Sequence, residues 1–246
     1  GENDYVDDDK IDLTAMQEDL SSYKGKTSTS SPSPHEWENA FGDADVVFCI
    51  TITSTLSGTY NSAVIAKDIY EQNHAGRKVY VLDSLSTGPE IALFIEKIAE
   101  LIKAGFAPDD IYKALLEYKD KTHLYFSLAS LNNFAKNGRI SPVIAAGIGL
   151  LGVRVVGKAS DEGTLLPLDK CRGEKRALKK LIDHLKECGY TDGKIIIAHN
   201  NNEAGALELK KLIENTFGIF NGKIQKTRAL CSYYAEPGSL LIGFEA

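Results

Sequence analysis

The chain has 246 residues, 43% of them hydrophobic and 25% charged, enough for one large or two ordinary globular domains with a sizeable core. A net charge of −6 excludes the broadly basic surface that nucleic-acid phosphates require. Four scattered cysteines without CxxC or His-rich spacing exclude a recognisable zinc site or disulfide framework, and no apolar run is long enough to span a membrane.

Residues 1–34 read as irregular, with an acidic start, a short helix over 13–20 and a Ser/Thr/Pro loop over 25–34. Ser33 or Pro34 opens a second short helix that places Trp37 and Phe41 on one side. From Val46 the pattern alternates: strand 46–53, helix 60–72, strand 78–83, a long helix through Ile91, Phe94, Ile98 and Leu101, and a helix from Pro108 to Tyr118. Strand 123–129 follows. This β-α-β-α-β order predicts a parallel sheet with helices on both faces.

The second half is different. A turn at Asn137-Gly138-Arg139 leads into a small apolar stretch, 143–151, and then a hairpin of strands 153–158 and 164–168 around Asp161-Glu162-Gly163. A charged helix over 173–188, strand 194–199, helix 203–215, strand 223–229 and strand 240–244 complete an α+β domain on a mixed sheet. The basic run 170–180 reads as a solvated helix face, and His199 as a turn or core residue. No signal peptide is visible, and the cysteine usage and composition predict a reducing, cytoplasmic setting.

The stretch Thr53-Ser54-Thr55-Leu56-Ser57-Gly58-Thr59-Tyr60-Asn61 lies between a strand and a helix start. Free N–H groups at a helix N-terminus, backed by the helix dipole, form an anion seat. Ser57 and Thr59 add hydroxyl donors, and Gly58 lets the backbone approach closely. Strand ends of this kind are where ligands sit in α/β sheets, and the Asp83-Ser84 turn falls at the same end, as a helix cap shaping the pocket mouth. The plain alternative for such a hydroxyl-rich turn is ordinary helix capping.

Read together, Thr29-Ser30-Ser31-Pro32-Ser33-Pro34, Leu56-Ser57-Gly58-Thr59-Tyr60-Asn61-Ser62-Ala63, Asp83-Ser84, Asn137-Gly138-Arg139-Ile140-Ser141, Cys171-Arg172-Gly173 and Pro237-Gly238 resemble the DegV family of bacterial fatty-acid-binding proteins. The resemblance spans almost the whole chain. It implies a two-domain α/β protein holding one long-chain fatty acid in a buried tunnel between the domains, with no catalytic group, no cofactor and no metal. It also implies a partner, a fatty acid kinase that phosphorylates the presented carboxylate. On that resemblance Thr29 and Ser57 hold the carboxylate, with Ser30, Gly58 and Thr59 beside them, and Arg139 lies near the head group or the partner surface. Arg172 and Arg176 would meet a kinase docking on the basic run.

Two departures stand out. The family begins with a strand ending in Asp-Ser, and this sequence starts after the place where that strand belongs. The family also carries a His-x-Gly-Pro-Gly segment, where this chain has Tyr234 at the His position and Glu236 at a Gly. A tyrosine hydroxyl donates but brings no charge near neutral pH, so fatty-acid binding survives the change more readily than hand-over to a kinase. The expected division is an N-terminal α/β domain, 1–140, and a C-terminal α+β domain, 141–246, with residues near 29–45 packing against the second. Tunnel lining is expected from 144–151, Val153, Val155 and the helix from Ile91. The competing functional reading is a hydrolase or kinase-like enzyme using Ser57, but neither G-x-S-x-G nor G-x-x-x-x-G-K is present. A third reading is an interaction module without any closed apolar pocket.

Overall fold

The computed structural model describes residues 3–141 and 152–246. Helix α1, Leu13–Ser22, starts where the Asp12 carboxylate accepts the Thr14 and Ala15 N–H groups. Helix α2, Pro34–Phe41, starts with a reciprocal box between Ser33 and Glu36, and its Trp37 and Phe41 rings lie 6.3 Å apart.

Strand β1, Val46–Thr51, helix α3, Thr59–Asn73, and strand β2, Lys78–Asp83, form a parallel β-α-β unit. Alternation along the two strands divides their side chains between two cores. Cys49, Val79 and Val81 face α3 through Ala63, Ala66 and Tyr70. Phe48, Ile50 and Leu82 face helix α4, Pro89–Lys103, and helix α5, Pro108–Lys119. Helices thus cover both faces, as the sequence pattern implies.

Strand β3, Thr122–Leu128, departs from expectation. It does not extend the parallel sheet but joins a second one. There follow helix α6, Asn132–Lys136, strands β4, Val153–Ala159, and β5, Leu165–Arg172, helix α7, Glu174–Glu187, and strand β6, Ile195–His199. Helix α8, Glu203–Phe217, strand β7, Gly222–Lys226, helix α9, Ala229–Ala235, and strand β8, Leu240–Glu245, end the chain. The second sheet has the order β5-β4-β3-β8-β6-β7 and is antiparallel except for the β6–β7 pair. Six of the seven β3 residues are buried, Leu124 to Leu128 without a break, so periodicity does not tell which neighbours it takes. The choice is made by β8 at the far end of the chain, which pairs Thr122 with Glu245 through Ser127 with Leu240. The expected strand 223–229 is also corrected, since it stops at Lys226 and residues 229–235 turn into α9.

Helix α4 lies between the two sheets, touching Leu82 on one side and Ile196 on the other. Gly243 of β8 makes that approach possible, because a Cβ there would lie 2.5 Å from the Glu90 amide nitrogen. At this contact Glu90 is buried, its carboxylate accepting from the hydroxyls of Ser86 and of Thr122, the latter at 2.8 Å. Burial pushes its pKa up, against the opposing pull of those two hydrogen bonds. A carboxyl whose folded pKa is raised stabilises most below its unfolded value and loses that contribution as pH rises through the folded one. Glu90→Gln, which stays neutral, is therefore expected to gain melting temperature over wild type as pH rises from acid to neutral. Melting curves at stepped pH values check this, and a constant difference would refute it.

The start of the chain is tied to its end. Asp7 accepts the N–H groups of Ala229 at 3.3 Å and Leu230 at 3.0 Å, capping α9, while Arg228 bonds Asp7 and Asp9. Gln17 of α1 bonds Asn200 and Asn201 beyond β6.

Candidate functional site

The β1–α3 connection lies at the carboxyl end of β1, where the Thr51–Asp83 register closes the parallel pair. Helix α3 begins at Thr59, and its N-cap residue, Gly58, has no side chain to cap the first turn. The Ser57 Oγ instead pairs with the Thr59 Oγ1 at 2.7 Å and accepts the Thr59 N–H at 3.3 Å. One hydroxyl proton satisfies that pair, so the other remains to donate outward. Ser57 has no histidine or carboxylate partner among the described residues, so it is not set up as an activated nucleophile.

Two loops hold this turn from the second sheet and the first. Thr53 and Thr55 donate to the carbonyls of Gly163 at 2.9 Å and Glu162 at 2.6 Å, seating the β4–β5 hairpin on it. Asp83 accepts the amides of Ser54 and Leu85, both at 3.1 Å. The expectation that Asp83-Ser84 caps a helix is thus corrected: it braces the loop that carries Ser57, and α4 starts later, at Pro89 with Gly88 as its N-cap.

The Thr29 loop arrives from the other side. The Thr29 Oγ1 pairs with the Tyr234 hydroxyl at 2.8 Å, and Thr27 pairs with Tyr233 at 2.7 Å. A side chain at Gly58 would begin 3.6 Å from the Ser31 Oγ, so this loop runs beside the Ser57 turn. Ser30 is exposed. Tyr234 is backed by the Phe134 ring at 4.8 Å, and the Tyr233 hydroxyl accepts from Asn137 at 2.8 Å. Arg139 closes the ring of contacts. It donates to the Leu56 carbonyl at 3.4 Å and the Asn137 carbonyl at 2.5 Å, and has no acidic partner among the described residues.

The structure therefore gathers Thr29, Ser57, Gly58, Thr59, Arg139 and Tyr234 into one neighbourhood built by four separate chain segments. Thr27, Ser31, Asn137 and Tyr233 belong to the same network and were not singled out from sequence. Ser31 and Asn137 fall inside the stretches that carry the family resemblance, and Thr27 and Tyr233 lie within two residues of Thr29 and Tyr234. Of the expected tunnel lining, 144–151 lies outside the described residues; Val155 is fully buried in the core beside Leu124 and Phe126, and Val153 is half-buried. Open hollows of about 540 Å³ beside Lys97, Tyr118 and Glu245, and about 330 Å³ beside His35 and Tyr70, lie away from Ser57. No described cluster of His, Cys, Asp and Glu could hold a metal ion, and no described helix is long and apolar enough to cross a membrane. The basic run is divided between two elements, which corrects the expectation of one helix face: Arg172 is exposed at the end of β5, and Arg176 is exposed on α7 beside buried Ala177 and Leu178.

Comparison with known proteins gives consistent matches. The family model described as "Uncharacterised protein, DegV family" covers residues 1–246. A DegV domain-containing protein of Streptococcus pneumoniae is 42% identical over 98% of this chain and 86% of its own length. A DegV family protein from Eubacterium eligens, solved loaded with heptadecanoic acid, superimposes with a TM-score of 0.97 at 40% identity, over 100% of this chain and 90% of that one. The fatty acid kinase B3 protein of Streptococcus pneumoniae, solved loaded with linoleic acid, gives a TM-score of 0.97 at 42% identity, over 100% and 87% of the two chains.

Proposed function

The chain belongs to the DegV family, and from that premise we propose that it is a non-catalytic carrier of one long-chain fatty acid. The convergence of the Ser57–Thr59 and Thr29–Tyr234 hydroxyl pairs carries the reading. Each pair keeps one O–H free, and both can point at one carboxylate that the first turn of α3 also attracts. Arg139 supplies positive charge at the rim, with no acidic partner among the described residues. The acyl chain supplies affinity at about 0.8 kcal/mol per methylene, so a dozen give on the order of 10 kcal/mol before ordering costs. The head group cannot be buried unpaired, which is why the donors matter.

The bound acid is presented to a fatty acid kinase, on the analogy of the pneumococcal relative that bears that name. Two units meet at the head group, a first through residue 140 and a second from 141, with β3 lent to the second sheet. The cytoplasm is the proposed setting, supported by four free thiols.

Native mass spectrometry of the purified protein tests the reading. A co-purified or added oleate should appear as a one-to-one adduct, and a protein that stays empty in excess oleate would overturn it. Tyr234→Phe, which takes away the partner of Thr29, is expected to weaken oleate binding about twofold to tenfold, the usual net worth of one neutral hydrogen bond. Titration with a fluorescent fatty acid measures it.

A further inference from the structure

Glu236 is one of three described non-glycine residues with positive φ, at φ 59 and ψ 160, a backbone region that only glycine enters freely. A residue retained there is held by something its side chain does. Its Oε1 accepts from the Ser130 hydroxyl at 2.8 Å and from the Asn133 amide at 3.1 Å, so a carboxylate just past the end of α9 caps the start of α6. Three further contacts join the same two helices. Asn133 donates to the Tyr233 carbonyl at 2.7 Å, Asn137 donates to the Tyr233 hydroxyl at 2.8 Å, and Phe134 lies against Tyr234.

We infer that Glu236 is a positioning residue of the head-group site: it fixes α6 against α9 and so sets the Phe134–Tyr234 pair that meets Thr29. This rests on the carrier reading. Ser57 and Thr59 are placed by the β1–α3 connection, whereas Tyr234 sits on a seven-residue helix that is too short to hold its own direction. Without the carboxylate, α6 loses an acceptor at its first turn and the ring behind Tyr234 is free to shift. The backbone strain and the side-chain bond act in opposite directions, which makes the role separable from plain stability.

The test compares Glu236→Gly and Glu236→Gln in the full chain, with cis-parinaric acid as the probe. The glycine relieves the strained φ, so Glu236→Gly should melt no lower than wild type yet bind cis-parinarate about tenfold more weakly, as for a lost bond to a charged group. Exchange of the Asn133 amide should speed up alongside. Glu236→Gln keeps an acceptor for Ser130 and Asn133 and should bind within about threefold of wild type. Equal binding by Glu236→Gly, or an equal loss in both variants, would overturn the inference. If wild-type protein itself ignores the probe, the carrier reading falls, and unchanged Asn133 exchange in Glu236→Gly would then sink the positioning role separately.

Discussion

Ser57→Ala lowers affinity for a long-chain fatty acid by about tenfold to a hundredfold, matching the roughly 1.5–3 kcal/mol that a hydrogen bond to a charged group contributes. The alanine removes the partner of the Thr59 hydroxyl and the acceptor of its N–H, so both donors of the pair lose their arrangement together. Fold stability should change far less, because Ser57 accepts only one first-turn N–H of α3, at 3.3 Å, while the helix is held by buried Ala63, Ala66 and Tyr70. Competition of oleate against a fluorescent fatty acid reads the affinity, with exposed Ser28→Ala as the comparison. Equal affinities for the two variants would remove Ser57 from the site. A matching fall in melting temperature would reassign it to structure.

Gly163→Ala is expected to unseat the hairpin from the Ser57 turn and to destabilise the protein by roughly 2–4 kcal/mol, a fall of about 5–15 °C in melting temperature. Gly163 has φ +76, and a Cβ there would lie 2.1 Å from the Thr53 Oγ1 and 3.1 Å from the Leu85 Cα. The first conflict breaks the bond that Thr53 donates to the Gly163 carbonyl, and the second presses on the loop that Asp83 braces. Gly76→Ala separates strain from collision, since Gly76 has φ +90 with nothing within 4 Å. Its cost should be limited to the roughly 1–2 kcal/mol of a left-handed non-glycine residue. Thermal melts that place the two alanines level would contradict the staple. Fatty-acid affinity should fall in the Gly163 variant alone, because Ser57 hangs on that turn.

Local features of the fold were readable because each is written within a few residues. The helix start at Ser33-Pro34, the Trp37–Phe41 spacing, the hairpin around Gly163 and the helices on both faces of β1 and β2 needed no distant partner. The partners of β3 were not readable, since its buried run fits either sheet and β8 decides. Helix α9 has no start signal of its own in the sequence, because the carboxylate that caps its first turn comes from the distant Asp7. The same division applies to the site. Ser57, Gly58 and Thr59 could be read from one turn, and Thr29, Arg139 and Tyr234 came from the family resemblance. Their meeting depends on Asn137, Tyr233 and Ser31, whose partners lie on distant segments that no local pattern identifies.

The cap that Asp7 places on α9 joins amides 222 and 223 positions away. Closing a loop of that size carries an entropy cost that short-range contacts avoid, so such a contact is among the last to form. During synthesis the β1–α3 turn can fold while the tyrosine-bearing helix has yet to be made. A nascent chain thus lacks the Thr29–Tyr234 pair, and with it a complete head-group site, until the segment bearing Tyr234 has been made.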